Sequence, residues 1–158
     1  MDRLLKLIED DCRLTNEQLA AMLGKETGDI AKMIKAYEKD GVIVGYKALV
    51  DWDKTDRESP TALIELKVTP QRDSGFDKVA ERIYQYPEVQ SLYLISGGFD
   101  LAIIIEGRTL REVALFVAEK LSTLDEVTST ATHFVLRKYK EKGVTYGKPF
   151  VDERGNEF

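Results

Sequence analysis

The run Thr15-Asn16-Glu17-Gln18-Leu19-Ala20-Ala21-Met22-Leu23-Gly24-Lys25-Glu26-Thr27-Gly28-Asp29-Ile30 decides how the N-terminal part of this chain folds. Gln18 follows Thr15 by three residues, the spacing of a capping box, so a helix opens there. Its apolar residues are Leu19, Ala20, Met22 and Leu23. Gly24 is the residue type that lets a helix end in a left-handed turn. A second helix over residues 27–40 brings Ile30, Met33, Ile34 and Tyr37 to one side, with Gly41 as its C-cap. Upstream, Leu4, Leu5, Leu7 and Ile8 give one apolar face of a first helix. Downstream, Val42-Ile43-Val44-Gly45-Tyr46-Lys47-Ala48-Leu49-Val50 is rich in strand formers, with a Gly where two strands would turn. Two short helices in tight succession, then a β wing, form the pattern of a winged helix-turn-helix.

Beyond it the composition changes. Residues 51–60, Asp51-Trp52-Asp53-Lys54-Thr55-Asp56-Arg57-Glu58-Ser59-Pro60, are polar, carry a net charge of −2, end in Pro and read as a linker. Residues 61–69 alternate strictly, with Ala62, Ile64, Leu66 and Val68 on one face and Leu63 among polar residues on the other. Pro70 ends that strand. A helix follows over 75–86 (Phe76, Val79, Ala80, Ile83), closed by Pro87. Then come a strand over 89–95, the turn Ser96-Gly97-Gly98, a strand over 99–106, a helix over 109–123 and a last strand over 127–138. A Gly-Gly pair in a hairpin supplies the positive φ values that tight turns need. The order βαββαβ is that of the ferredoxin-like sandwich. The fold class is therefore α+β: residues 1–50 a winged helix-turn-helix, 51–60 a linker, 61–142 a ferredoxin-like unit, and 143–158 a tail without regular period.

Composition narrows the function classes. In 158 residues, 43% are hydrophobic and 32% charged, enough apolar material for packed cores. With 23 basic and 28 acidic side chains the net charge is −5, so nucleic acid would have to be met by a local basic face rather than by bulk charge. One Cys forbids an intrachain disulfide and fits a reducing cytoplasm. One His and one Cys cannot build a His/Cys zinc cage. Nor is there a serine or cysteine triad to assemble around His133, a phosphate-binding P-loop or a dinucleotide fingerprint, so no catalytic residue, metal or cofactor is expected. No apolar run approaches the ~18 residues of a membrane span, and Met1-Asp2-Arg3-Leu4-Leu5 has no secretory core. Cys12 reads as a small buried residue near the end of helix one, and His133 as part of a packed or interface surface.

Two constellations carry candidate chemistry. In a helix-turn-helix the second helix of the motif enters the major groove with its N-terminal residues at the base edges. Here those residues are Lys25, Glu26, Thr27, Gly28, Asp29 and Lys32, with Lys35 and Lys39 on the same side. The four lysines face Glu26, Asp29 and Glu38, which leaves +1, and the stretch also reads as a solvated helix face. The second constellation is Ser96-Gly97-Gly98-Phe99-Asp100. Backbone N–H groups in a glycine-rich turn can cradle an anion, and Asp100 can accept an ammonium. Together they suit a zwitterionic amino acid, although an ordinary hairpin with its Asp in water has the same sequence. Thr128, Thr130 and Thr132 put three hydroxyls on one face of the last strand, which strand propensity alone also explains.

These landmarks, in order, resemble the Lrp/AsnC (feast/famine) transcriptional regulators. They are Asp11-x-Arg13-Leu14-Thr15 with Leu19-Ala20, then Ile34-x-x-Tyr37-Glu38-x-Asp40-Gly41-Val42-Ile43-x-Gly45-Tyr46, then Ser96-Gly97-Gly98-Phe99-Asp100, then Val127-x-x-Thr130-x-Thr132. The resemblance spans residues 4–142. It implies an N-terminal DNA-binding domain that docks on double-stranded DNA through Lys25, Thr27, Gly28, Asp29, Lys32 and Lys35. It also implies a C-terminal effector-sensing domain and a homodimer, often assembled to an octamer, that binds an amino acid between subunits. The effector role falls on Ser96, Gly97, Gly98, Phe99, Asp100, Thr130 and Thr132. One departure stands out: such recognition helices carry arginines, whereas Glu26-Thr27-Gly28-Asp29-Ile30-Ala31-Lys32 has none, and Lys does not replace a bidentate Arg–guanine contact. A module of the same fold that senses a metabolite with weak or lost DNA binding is the alternative. Sirohaem decarboxylases share the two-domain architecture, but their expected histidines near the tetrapyrrole are not matched by a single His.

Overall fold

The computed structural model describes residues 2–57, 59–70, 72 and 75–147. The chain divides into two compact units, Met1–Leu49 and Val50–Phe158.

In the first unit, α1 (Arg3–Asp10) is capped by Asp2, whose carboxylate accepts from the N–H groups of Leu4 and Leu5 and from the Tyr37 hydroxyl. The tyrosine hydrogen bond holds the Asp2 carboxyl below its ordinary range. A depressed carboxyl pKa stabilises the fold above its unfolded value, and that contribution is lost as pH falls through the folded value. The capping box at α2 (Asn16–Leu23) is reciprocal: the Gln18 N–H donates to Thr15 Oγ1 at 3.3 Å and the Thr15 N–H donates to Gln18 Oε1 at 2.8 Å. Gly24 ends α2 at φ +63°. After α3 (Thr27–Lys39), Gly41 adopts φ +68°. Leu4, Ile8, Leu19, Ala20 and Ile30 are buried together, and Leu7, Leu14, Leu23, Met33, Ile34, Tyr37 and Ile43 pack around them.

The expected β wing is not paired. Residues 42–50 contain no strand, and Val44 is 94% exposed. The N–H groups of Val42 and Ile43 both donate to the Tyr37 carbonyl, at 2.8 and 3.1 Å, so the segment leaves α3 through a helix cap. Strand propensity expresses packing against neighbours; Ile43 packs on the helical core, but the residues after it find no partner strand within the unit. Cys12 is likewise exposed rather than buried, because α1 ends at Asp10 and Cys12 lies in the turn beyond it.

The second unit opens with a short 3₁₀ turn, Trp52–Lys54, inside the expected linker. Its sheet contains β1 (Thr61–Val68), β2 (Val89–Leu94), β3 (Leu101–Glu106) and β4 (Val127–Phe134) in the order β2-β3-β1-β4, all antiparallel. Helices α4 (Asp77–Tyr84) and α5 (Leu110–Phe116, prolonged by a π turn over Val117–Leu121) cover one face. Ala62, Ile64, Leu66 and Val68 of β1 and Leu101, Ile103 and Ile105 of β3 meet Val79, Ile83, Val113, Phe116, Val117 and Leu121 there. Each such side chain contributes roughly 1.5–3 kcal/mol by leaving water, which is why the period-2 pattern was so readable.

Among the described residues no helix covers the other face of the sheet. Directly opposed residues share a face, so Leu63 lies between Ile104 and His133, and Tyr93 lies opposite Ala102. His133 Nε2 stands 3.5 Å from the Glu65 carboxylate on that face.

Two sequence expectations change at the end of the sheet. Gly97 and Gly98 do not sit at positive φ; among the described residues the glycines that do are 24, 41, 75, 143 and 147. The link from β2 to β3 is an open bend of six residues, Ile95 to Asp100, which does not require the left-handed region. The last strand stops at Phe134 rather than at 138, and β5 (Lys140–Glu141) and β6 (Val144–Thr145) form a separate hairpin. That hairpin crosses residue 143, past which no period was legible. Residues 148–158 of the expected tail lie outside the described residues.

Candidate effector and nucleic-acid sites

The β2–β3 bend is anchored by Asp100. Its N–H donates to the Leu66 carbonyl (2.9 Å), its carbonyl accepts from the Ile95 N–H (2.8 Å), and its Oδ2 accepts from the Val68 N–H (2.8 Å). The carboxylate takes the place of the backbone carbonyl that the end of β1 lacks at that position. Asp100 is therefore half-buried and structural, not a carboxylate standing in water. Among the described residues its Oδ1 takes no hydrogen bond, and neither do the N–H groups of Gly97, Gly98 and Phe99. Ser96, Gly97 and Gly98 are exposed, and Phe99 is half-buried. A Cβ built on Gly98 meets nothing within 4 Å, and one on Gly97 meets only Ile95 Cγ2 at 3.6 Å. Neither the fold's torsions nor its packing demands glycine at these two positions.

The threonines lie on the opposite flank of β1. Thr130 pairs with Leu66 and Thr132 with Ile64, so both face the helix-covered side of the sheet, half-buried on edge strand β4. Thr128 is already engaged: its hydroxyl donates to the Lys67 carbonyl at 3.1 Å. Asp100, at the start of β3, and Thr130, on β4, flank the same stretch of β1 from two sides, with their backbones two strand spacings, about 10 Å, apart.

A cavity of about 270 Å³ opens at the other end of the sheet, lined by Asp51, Trp52, Ser59, Glu106, Arg137 and Lys138 among others, and includes none of the expected effector residues. At its edge Lys138 Nζ stands 2.9 Å from Glu141 Oε2, and the Tyr146 hydroxyl donates to the same oxygen at 3.0 Å. The Lys138 hydrogen bond, against some burial, lowers the Glu141 pKa. Sequence reading missed this cluster: Lys138 and Glu141 are near neighbours along the chain, but Tyr146 meets them only when the chain doubles back at residues 142–143. Among the described residues no group of three or more His, Cys, Asp or Glu side chains could hold a metal ion.

Lys25, just ahead of α3, and Gly28, Asp29, Lys32 and Lys35 on it are exposed and Thr27 is half-buried, while Ile30 is fully buried and fixes the helix by its opposite side. Lys32 Nζ lies 3.9 Å from Asp29 Oδ1, so one of the candidate phosphate contacts is partly neutralised. Glu26, the N-cap residue, makes no side-chain cap hydrogen bond. Its carboxylate, with that of Asp29, occupies the end of the helix whose dipole would otherwise favour a phosphate.

Residues 61–145 match the family model described as the Lrp/AsnC ligand binding domain, and residues 3–44 match that of a winged helix-turn-helix DNA-binding domain. The chain belongs to the Lrp/AsnC family. It is a DNA-binding transcriptional regulator with a C-terminal ligand-binding domain, and members of the Lrp/AsnC family act as regulators rather than as enzymes. This Lrp/AsnC chain is 45% identical over 152 residues to the uncharacterized HTH-type transcriptional regulator YugG of Bacillus subtilis, covering 96% of this chain and 92% of that one. It is 24% identical over 142 residues to a proline dehydrogenase transcriptional activator of Rhizobium radiobacter, covering 90% of each. Its fold is that of a Neisseria meningitidis transcriptional regulator solved as an L-Met complex, with TM-score 0.72, 22% identity, and 94% and 96% of the two chains covered. No helix among the described residues is long and apolar enough to cross a membrane.

Proposed function

We propose that this regulator is cytoplasmic, responds to an amino acid, and holds it at the Gly97–Asp100 bend, with Thr130 or Thr132 supplied by a second copy of the chain. The observation that carries the reading is the pairing, at one exposed bend, of backbone N–H groups with a carboxylate oxygen, none of which takes a hydrogen bond among the described residues. The former suit a carboxylate and the latter an α-ammonium. The placement of Asp100 and Thr130 on opposite flanks of β1 supports a site shared between copies. The L-Met complex of the Neisseria regulator adds support by family likeness. A thermal-shift screen against the twenty amino acids tests this, since a ligand of the folded state raises apparent stability. No shift with any of them would set the amino-acid reading aside.

Gly98→Ala gives the sharper test. With open space and no positive φ, the methyl is expected to be neutral or to stabilise the chain by up to ~1 kcal/mol. Effector affinity is expected to fall by about 10-fold or more if the ligand carboxylate must approach that backbone, since a hydrogen bond to a charged group is worth ~1.5–3 kcal/mol. A variant with full effector affinity by calorimetry would place the ligand elsewhere.

For DNA, the reading assigns Lys25, Thr27, Gly28, Asp29, Lys32 and Lys35 to the groove face. Lys32→Glu is expected to weaken binding across all sequences and to flatten its salt dependence by about one unit of slope. Asp29→Asn is expected to strengthen non-specific binding, because it removes a repulsive charge and frees Lys32. Gel shifts with the regulator's own promoter region at two salt concentrations read both. The two exposed acids at the start of α3 favour a second reading, in which the chain senses a metabolite but grips DNA weakly. Absence of binding at low salt, with and without amino acids, would select that second reading.

A further inference from the structure

The densest positive charge in this acidic chain lies outside the helix-turn-helix. Residues 137–142, Arg137-Lys138-Tyr139-Lys140-Glu141-Lys142, carry net +3, against +1 over residues 25–39. Lys138 is turned inward and paired with Glu141. Arg137, Lys140 and Lys142 are exposed and make no ion pair among the described residues. The Arg137 guanidinium stacks 5.0 Å from the centroid of Tyr139, itself 68% exposed, which orients the cation while leaving its N–H donors available.

The turn at the tip adds a second observation. Lys140 pairs with Thr145 and Glu141 with Val144, leaving a two-residue loop of Lys142 (φ +47°) and Gly143 (φ +83°). Positive φ at both central residues is the mark of a type I′ hairpin, whose first position favours Asn, Asp or Gly. Lys142 is the one non-glycine residue at positive φ among the described residues. A lysine held against local preference at the tip of a basic hairpin points to a use for its charge.

We propose that this hairpin is a second contact for the DNA phosphate backbone, made by Arg137, Lys140 and Lys142. It adds electrostatic grip that the acid-bearing α3 lacks. The proposal rests on the chain binding DNA. The contact reads no bases, so it raises affinity for specific and non-specific duplex alike. Each phosphate contact contributes a slope of about 0.9 in log K against log salt, or roughly 5-fold in affinity at about 0.15 M salt.

The test uses the full chain with Lys140→Gln and Lys142→Asn together, Asn being at ease in the left-handed turn. Duplex affinity is measured by fluorescence anisotropy over a salt series, with light scattering and thermal melting in parallel. The expected result for each engaged hairpin is a slope shallower by about 1.8 and affinity lower by roughly 30-fold at 0.15 M salt. Assembly size should be unchanged and melting temperature equal or higher. Unchanged slope and affinity would overturn the proposal. So would loss of binding that tracks dissociation of the assembly, which would make the hairpin a contact between copies. If the parent itself binds no duplex, the DNA-binding reading falls with it. A parent that binds duplex and a double variant that binds it equally well remove only the hairpin.

Discussion

Asp100→Asn is expected to leave the chain folded and to lower amino-acid affinity by about 10- to 150-fold, whereas Asp100→Ala is expected to lower affinity and stability together. The difference follows from the two jobs of one carboxylate. Oδ2 accepts from the Val68 N–H at 2.8 Å, and an amide oxygen can do the same. The charge that would meet an α-ammonium is lost in both variants, and a charge-assisted hydrogen bond is worth ~1.5–3 kcal/mol. In Asp100→Ala the Val68 N–H, on a residue only 6% exposed, loses its partner, at a cost of about 1–3 kcal/mol. Calorimetry with the best ligand from the screen, alongside thermal melts of both variants, reads the two effects separately. Parent-like affinity in Asp100→Asn would remove the ammonium from this bend. The sequence shows no sign of this structural role, because the Val68 partner lies 32 residues upstream and leaves no local trace.

Leu63→Glu is expected to take the protein apart into smaller species without unfolding it. Leu63 lies on the sheet face that carries no helix, between Ile104 and His133 and next to Glu65. Among the described residues one face of the sheet is uncovered and apolar along its middle, and another copy's sheet would supply the second layer such a face needs. Family resemblance and this bare face together support at least a dimer. An unpaired charge buried in that contact costs about 3–5 kcal/mol, which weakens association roughly 100- to several-thousand-fold. The helix-side core does not include Leu63, so the far-UV spectrum should be retained. Light scattering at micromolar concentration decides. A monomeric parent, or a variant that assembles like the parent, would rule out this face as the contact.

What could be read without coordinates was whatever is decided within a few residues along the chain. The Thr15–Gln18 capping box and the left-handed Gly24 are closed by groups three or four positions apart, and both stand as expected. The alternation of Ala62, Ile64, Leu66 and Val68 names the buried face because pleat and period are properties of the strand alone. The order βαββαβ followed from such local signals, and the family landmarks placed the bend and the threonines in sequence. Tertiary structure decided the features that depend on distant partners. Residues 42–50 have strand composition, but beyond Ile43 they find no partner strand, so no wing strand forms. Gly97 and Gly98 carry no positive φ, because the bend is wide and is tied down by Asp100 rather than by a tight turn. Register with β1 puts Thr130 and Thr132 on the helix side of an edge strand, across β1 from the bend. The basic hairpin at 140–145 exists because the chain reverses at Lys142–Gly143, where the lysine gives no turn signal. Torsional and capping preferences act over one helical turn and leave their record in sequence, whereas pairing register and side-chain bonds across 32 residues are chosen by the packed molecule as a whole.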